Sequence, residues 1–168
     1  PTARFAREKP EYPCDIVKSM VSDDLCTVSW RARPRSFVSL MTLYESNFIR
    51  LGWLVPDLKR LRGSLTSQVP GEPVLELSVI EQSRYTTTLG MTYLLGDERL
   101  PELEIRVYHD ARLAEACGTT ADPSHRRLQR LAANVAREHG RRWSCNMLLN
   151  KWLEYCAGNG HCFALPAA

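Results

Sequence analysis

From Leu75 to Cys117 the chain alternates between hydrophobic and polar residues with the two-residue period of β-strands. In ELEIRVYHD, Leu103, Ile105 and Val107 alternate with Glu104, Arg106 and Tyr108, and Leu75, Leu77 and Val79 recur in the same way in LELSVIEQ. That pattern belongs to a sheet with one buried and one wet face. Four consecutive strands follow: LELSVIEQ, RYTTTLGMTYLL, ELEIRVYHD and RLAEAC. Upstream, in FVSLMTLYESNFIRLGWL, the period changes. Phe37, Leu40, Met41, Tyr44, Phe48, Leu51 and Leu54 recur at steps of three and four, which predicts a helix capped by Ser36 and ended ahead of Pro56. Near the end, SCNMLLNKWLEYC offers Met147, Leu148, Trp152 and Tyr155 as a second helical stripe, stopped by GNG. The Gly-, Pro- and Ser-rich GSLTSQVPGEP reads as the loop entering the first strand. The predicted fold is α+β: an antiparallel four-stranded meander covered by an N-terminal and a C-terminal helix.

The length of 168 residues, with 44% hydrophobic and 24% charged, suits one core and therefore one domain. Residues 1–35 read as an N-terminal arm and residues 36–168 as the single α+β domain. The arm holds Pro1, Pro10, Pro13 and Pro34 and one short helical candidate, CDIVKSMVSDDL. Its stripe of Ile16, Val17, Met20, Val21 and Leu25 can dock on the body or on a second protomer, which makes a homodimer the candidate assembly. Its end, RARPRS, sets arginines before a helix start, and Arg31 and Arg35 share an R-x-x-x-R spacing used by some cyclic-dinucleotide receptors. A solvated linker explains that run more simply.

The net charge of +3 implies neither nucleic acid nor an anionic membrane as partner. No apolar run approaches the roughly 20 residues of a membrane span, and no signal-peptide pattern opens the chain, so a cytoplasmic protein without a membrane partner is expected. The six cysteines, at 14, 26, 117, 145, 156 and 162, form no C-x-x-C pair and read as free thiols of a reducing compartment. Cys156, His161 and Cys162 are the tightest group of metal-ligand types. A buried helix cysteine followed by a loose tail accounts for them, so neither metal nor cofactor is predicted.

Candidate chemistry arises from topology. In an up-and-down meander, the turn E-Q-S-R-Y between the first two strands and the turn Y-H-D-A between the last two lie at the same end of the sheet. Glu81, Arg84, His109 and Asp110 are then expected to converge there, with Arg106 and Tyr108 on the wet face beside Arg84. Arginines can hold a phosphate or carboxylate, and His109 with a carboxylate can move a proton. Turn capping and cross-strand ion pairs are the plain structural account of the same residues. A second cationic feature lies in DPSHRRLQRLAANVAREHGRR, where Arg126, Arg130, Arg137 and Arg141 stand at steps of four, seven and four on one helix face. That stripe suits nucleic-acid phosphate, although it lacks the aromatics of a single-strand stacking surface.

The segments E-Q-S-R-Y-T-T and R-V-Y-H-D-A-R-L-A-E, with LYESNFIRLGWLVP and W-L-E-Y-C-A-G-N-G, resemble the YqiB-like bacterial proteins of a domain-of-unknown-function family. The resemblance covers about residues 36 to 165. It implies a bacterial, cytoplasmic, single-domain protein of helix, strands, helix order, and it transfers no activity. The arm and HRRLQRLAANVAREHG depart from the family pattern.

The function expected from these features is that of a small, non-catalytic regulatory or adaptor protein. Its partner is an anionic small molecule or protein, with Arg84 and Arg106 supplying charge and Tyr108 and His109 hydrogen bonds. The first alternative is a nucleic-acid-binding protein working through the basic helix. The second is a hydrolase using His109 as base with Asp110 or Glu81. Binding ranks above catalysis because no second histidine, serine elbow or metal triad accompanies His109, and no catalytic residue is assigned.

Overall fold

A computed structural model of the chain describes residues 34–118 and 135–163. The arm up to residue 33, including its helical candidate and Arg31, lies outside the described residues, as does the tail beyond residue 163. Helix α1, Phe37–Leu54, begins where expected: the Ser36 hydroxyl accepts the Ser39 backbone N–H at 3.1 Å. It ends as Val55 turns to extended backbone ahead of Pro56. Six strands follow: β1 Ser64–Ser67, β2 Val74–Gln82, β3 Thr86–Leu95, β4 Glu98–Arg99, β5 Leu103–Tyr108 and β6 Leu113–Gly118. Helix α2, Val135–Gly158, closes the described fold.

The sheet is antiparallel, in the order β1-β2-β3-β5-β6, with β4 paired to β3. The four-strand prediction therefore requires correction to six. SLTS, read as loop, pairs residue for residue with Leu75 to Ser78 of β2. Glu98–Arg99 folds back on Leu94 and Leu95. The α+β class and the two flanking helices stand.

Strand alternation builds the core. Leu75, Leu77, Leu89, Met91, Leu103, Ile105, Val107 and Ala114 of the inner face are at most 1% exposed. They pack with Leu51 and Leu54 of α1 and with Leu149, Trp152 and Leu153 of α2. Helix α2 ends in a left-handed Gly160, with His161 N–H bonded to the Cys156 carbonyl and Gly160 N–H to the Ala157 carbonyl. The buried Phe163 then returns to α1, its N–H bonded to the Leu54 carbonyl.

The helical stripes need correction as well. Phe37 is 69% exposed, and Leu148 and Tyr155 are about half exposed. The buried faces carry Ser39, Ser46, Asn47 and Arg50 on α1 and Asn146 and Asn150 on α2. These polar residues have a structural task at the sheet edge. Among the described residues strand β6 has no strand beyond it, and its outward Ala114 carbonyl accepts from Asn47 Nδ2 at 3.3 Å, while its Ala116 N–H donates to Asn146 Oδ1 at 2.8 Å. Helix amides thus satisfy two backbone groups of an edge that would otherwise offer them to another strand.

Candidate functional site

The two turns meet at one end of the sheet, as the meander requires. Thr86 at the start of β3 stands opposite Tyr108 at the end of β5, and the His109 N–H donates to the Tyr85 carbonyl at 2.9 Å. Their side chains, however, divide between the two faces. Arg106 lies opposite Thr88 and Glu115, and Glu81 lies opposite Thr88, so Glu81, Arg106 and Tyr108 belong to the outer face. Tyr108 donates its hydroxyl to Glu115 Oε1 at 2.8 Å. Burial first, and then this contact with Glu115, holds its pKa above the ordinary value. His109 continues the inward series of Ile105 and Val107. It is 9% exposed, and its Nε2 shares a 2.8 Å hydrogen bond with the buried Thr87 hydroxyl.

Burial lowers the His109 pKa, and the Lys59 charge adds to that, while Asp110 and Asp57 oppose it. The imidazole is therefore biased toward its neutral form and committed to Thr87. Asp110 is exposed at the turn, and Arg84, also exposed, lays its guanidinium over the Tyr85 ring at 5.1 Å from the centroid. The six residues expected in one pocket are thus held near one end of the sheet without sharing one face. The parity of β5 carried this information, because a strand that points Val107 inward points His109 inward too.

Among the described residues a concavity at this end lies instead between α1 and the turn His109–Arg112. It encloses about 530 Å³ and is lined by Glu45, Phe48, Ile49, Gly52, Trp53, Ala111 and Arg112. The helix supplies residues at steps of three and four, and Gly52 leaves the surface open between them. Arg112 reaches this position through a backbone turn with φ 55°, a left-handed conformation uncommon outside glycine. The groove combines aromatic and aliphatic walls with one cation and one carboxylate. Sequence reasoning placed Arg112 in a strand and Phe48 in the core stripe. Only the path of the turn across α1 reveals their role here.

Of the basic stripe, Arg126 and Arg130 lie outside the described residues. Arg137 falls within α2, where its side chain is not described. Arg141 and its neighbour Arg142 both bond Glu138, at 2.8 to 3.0 Å. Arg142 also approaches Glu115 at 3.7 Å. The two cations are thus engaged by carboxylates rather than arrayed free.

At the opposite end of the sheet, the buried His161 shares Nδ1 with Ser67 Oγ at 3.2 Å, and Cys156 Sγ lies 3.2 Å from the Tyr93 hydroxyl. Among the described residues no group of three His, Cys, Asp or Glu is placed to hold a metal. Cys117, Cys145 and Cys156 are free thiols, whereas Cys162 is disulfide-bonded, which corrects the expectation of free thiols throughout. No helix among the described residues is long and apolar enough to cross a membrane.

A family model described as a protein of unknown function (DUF1249) matches residues 50–162, more than half of the chain. The chain is 27% identical over 133 residues to the uncharacterized protein YqiB of Escherichia coli strain K12, covering 77% of this chain and 94% of that protein. The YqiB proteins of Escherichia coli O6:H1 and O157:H7 match to the same extent. No solved structure matches.

Proposed function

Because the chain belongs to the DUF1249 family of proteins of unknown function, we propose its role from its geometry: it is a non-catalytic adaptor or regulatory protein that binds an anionic partner at the turn end of the sheet. The observation that carries this reading is the groove of about 530 Å³ between α1 and the turn ending in Arg112. Its floor of Phe48, Ile49 and Trp53 takes an apolar group, and Arg112 at the rim takes the acid attached to it. Arg84, exposed on the adjacent turn, adds a second cation at the same end of the sheet. Catalysis is the weaker reading. His109, the one histidine among the described residues of this end, is buried against Thr87 and faces away from Arg106 and Tyr108.

Native mass spectrometry of protein taken directly from cell extract tests the proposal. The wild type is expected to carry an additional acidic mass that is lost from Ile49→Ala and from Arg112→Gln. A wild type without bound mass, or a mass retained by both folded variants, overturns it.

A further inference from the structure

Of the six cysteines in the chain, Cys117, Cys145 and Cys156 are free thiols and Cys162 is disulfide-bonded. With those three excluded, the sulfur that Cys162 bonds within this single chain belongs to Cys14 or Cys26. Both lie in the N-terminal arm. The bond therefore ties the arm to the segment that follows α2.

Two fixed points decide between the two cysteines. Where the arm meets the domain, His139 Nε2 donates to the Arg35 carbonyl at 2.7 Å, near the start of α2. Beyond the other end of α2, the Cys162 N–H donates to Ser67 Oγ at 3.0 Å, and the buried His161 shares that hydroxyl through Nδ1 at 3.2 Å. The Phe163 N–H, next in the chain, is bonded to the Leu54 carbonyl. Cys162 is thus held in place at the end of a helix that advances about 25 Å between His139 and Cys156. The nine residues from Cys26 to Arg35 reach about 30 Å only when fully straight. Pro34 and the left-handed Arg35, with φ 65°, turn the chain at the end of that stretch. Cys14 stands 21 residues from Arg35 and covers the same span with slack.

We propose that Cys14 and Cys162 form a reversible disulfide that straps the N-terminal arm from the start of α2 to its end, closed under oxidising and open under reducing conditions. Closing is thiol–disulfide exchange with a small disulfide such as glutathione disulfide. A thiolate of the pair attacks it and releases one glutathione thiol, and the second cysteine then displaces the other. The two protons and two electrons lost by the cysteines end on two glutathione thiols. Reduction reverses both steps. Cys162 is partly exposed, in the segment after α2 rather than within the core, a setting in which a small thiol can reach the bond. The strap is independent of the groove, which α1 and the turn ending in Arg112 form.

The test equilibrates the full chain with glutathione disulfide or with reduced glutathione and blocks its free thiols with N-ethylmaleimide in mildly acidic urea. Tryptic peptides are then mapped without further reduction, and cleavage at Lys18 separates Cys14 from Cys26. The oxidised chain is expected to yield the Cys14 peptide joined to the C-terminal peptide through Cys162, with Cys156 blocked. The reduced chain is expected to carry the label on all six cysteines. Cys26→Ser should keep the link, and Cys14→Ser should lose it. The urea midpoint of the wild type should fall on reduction, because the link constrains the unfolded chain, whereas that of Cys162→Ser should not respond. A link through Cys26, a link between two chains on a non-reducing gel, six labelled cysteines after oxidation, or a bond that survives excess reduced glutathione overturns the proposal. Mapping of the wild type decides even where a variant fails to fold.

Discussion

Replacing Asn146 by Ala tests whether helix amides hold the edge of the sheet. Asn146 is fully buried, and its Oδ1 accepts the Ala116 N–H at 2.8 Å and Asn47 Nδ2 at 3.1 Å. Truncation leaves the Ala116 N–H of strand β6 without a partner, a loss of about 1–3 kcal/mol for a buried donor. Asn47 Nδ2 keeps only its 3.3 Å contact with the Ala114 carbonyl, which costs about 1 kcal/mol more. The expected destabilisation is therefore about 2–4 kcal/mol, a large share of the roughly 5–15 kcal/mol that holds a domain together. Urea unfolding followed by tryptophan fluorescence should show the midpoint falling by about 1–2 M with unchanged slope. Hydrogen exchange at the Ala116 amide should accelerate ahead of its neighbours in β5. Ser144→Ala, which removes an exposed bond to the Gly140 carbonyl of the same helix, is the control and should stay within about 0.5 kcal/mol. A loss below about 1 kcal/mol for Asn146→Ala, with Ala116 still protected, would refute the account of the edge.

Arg84→Ala should leave the unfolding midpoint within the surface range of about 0.5 kcal/mol while weakening partner capture, since Arg84 is exposed and stacked on Tyr85; a variant that unfolds shows the turn to be structural. Burial lowers the pKa of both His109 and His161 from 6.5, so the unfolded chain binds more protons than the folded one just beneath that value. Stability should be complete above about pH 6.5 and fall as pH drops through the window below it; His109→Gln should flatten part of that slope in a pH series of urea midpoints, and an unchanged slope counts against a buried neutral imidazole. Burial pushes the Cys156 thiol up to about 11, so iodoacetamide at pH 8 should spare it in the native protein and modify it in urea, as peptide mapping would show. If the basic stripe binds nucleic acid, replacing Arg126, Arg130, Arg137 and Arg141 by Gln should abolish gel retardation of RNA at low salt; absence of retardation with the wild type ends that reading.

Alternation at period two was enough to find β2, β3, β5 and β6 and to bring their alternate turns to one end of the sheet, because side-chain parity and antiparallel pairing are properties of the backbone itself. The Ser36 cap and the glycine stop after α2 were equally local, each satisfying helix ends with neighbours in the chain. Strands β1 and β4 had no such signal. SLTS is mostly polar, and Glu98–Arg99 is two residues long, so both are strands only because β2 and β3 offer them hydrogen-bonding edges.

The helix faces mark the same boundary from the other side. A hydrophobic stripe assigns Asn47, Asn146, Asn150 and Arg50 to solvent, since a polar side chain is costly to bury alone. Their partners are the Ala114 carbonyl, the Ala116 N–H, Ser46 and one another, separated by as many as 104 residues in the chain. Composition and periodicity describe one segment at a time, so they located the two helices and strands β2, β3, β5 and β6 and showed which residues of those strands face the core. Which polar residues could be buried, and where a groove opened against α1, depended on distant groups being brought within hydrogen-bonding range. Only the packed chain supplies that proximity.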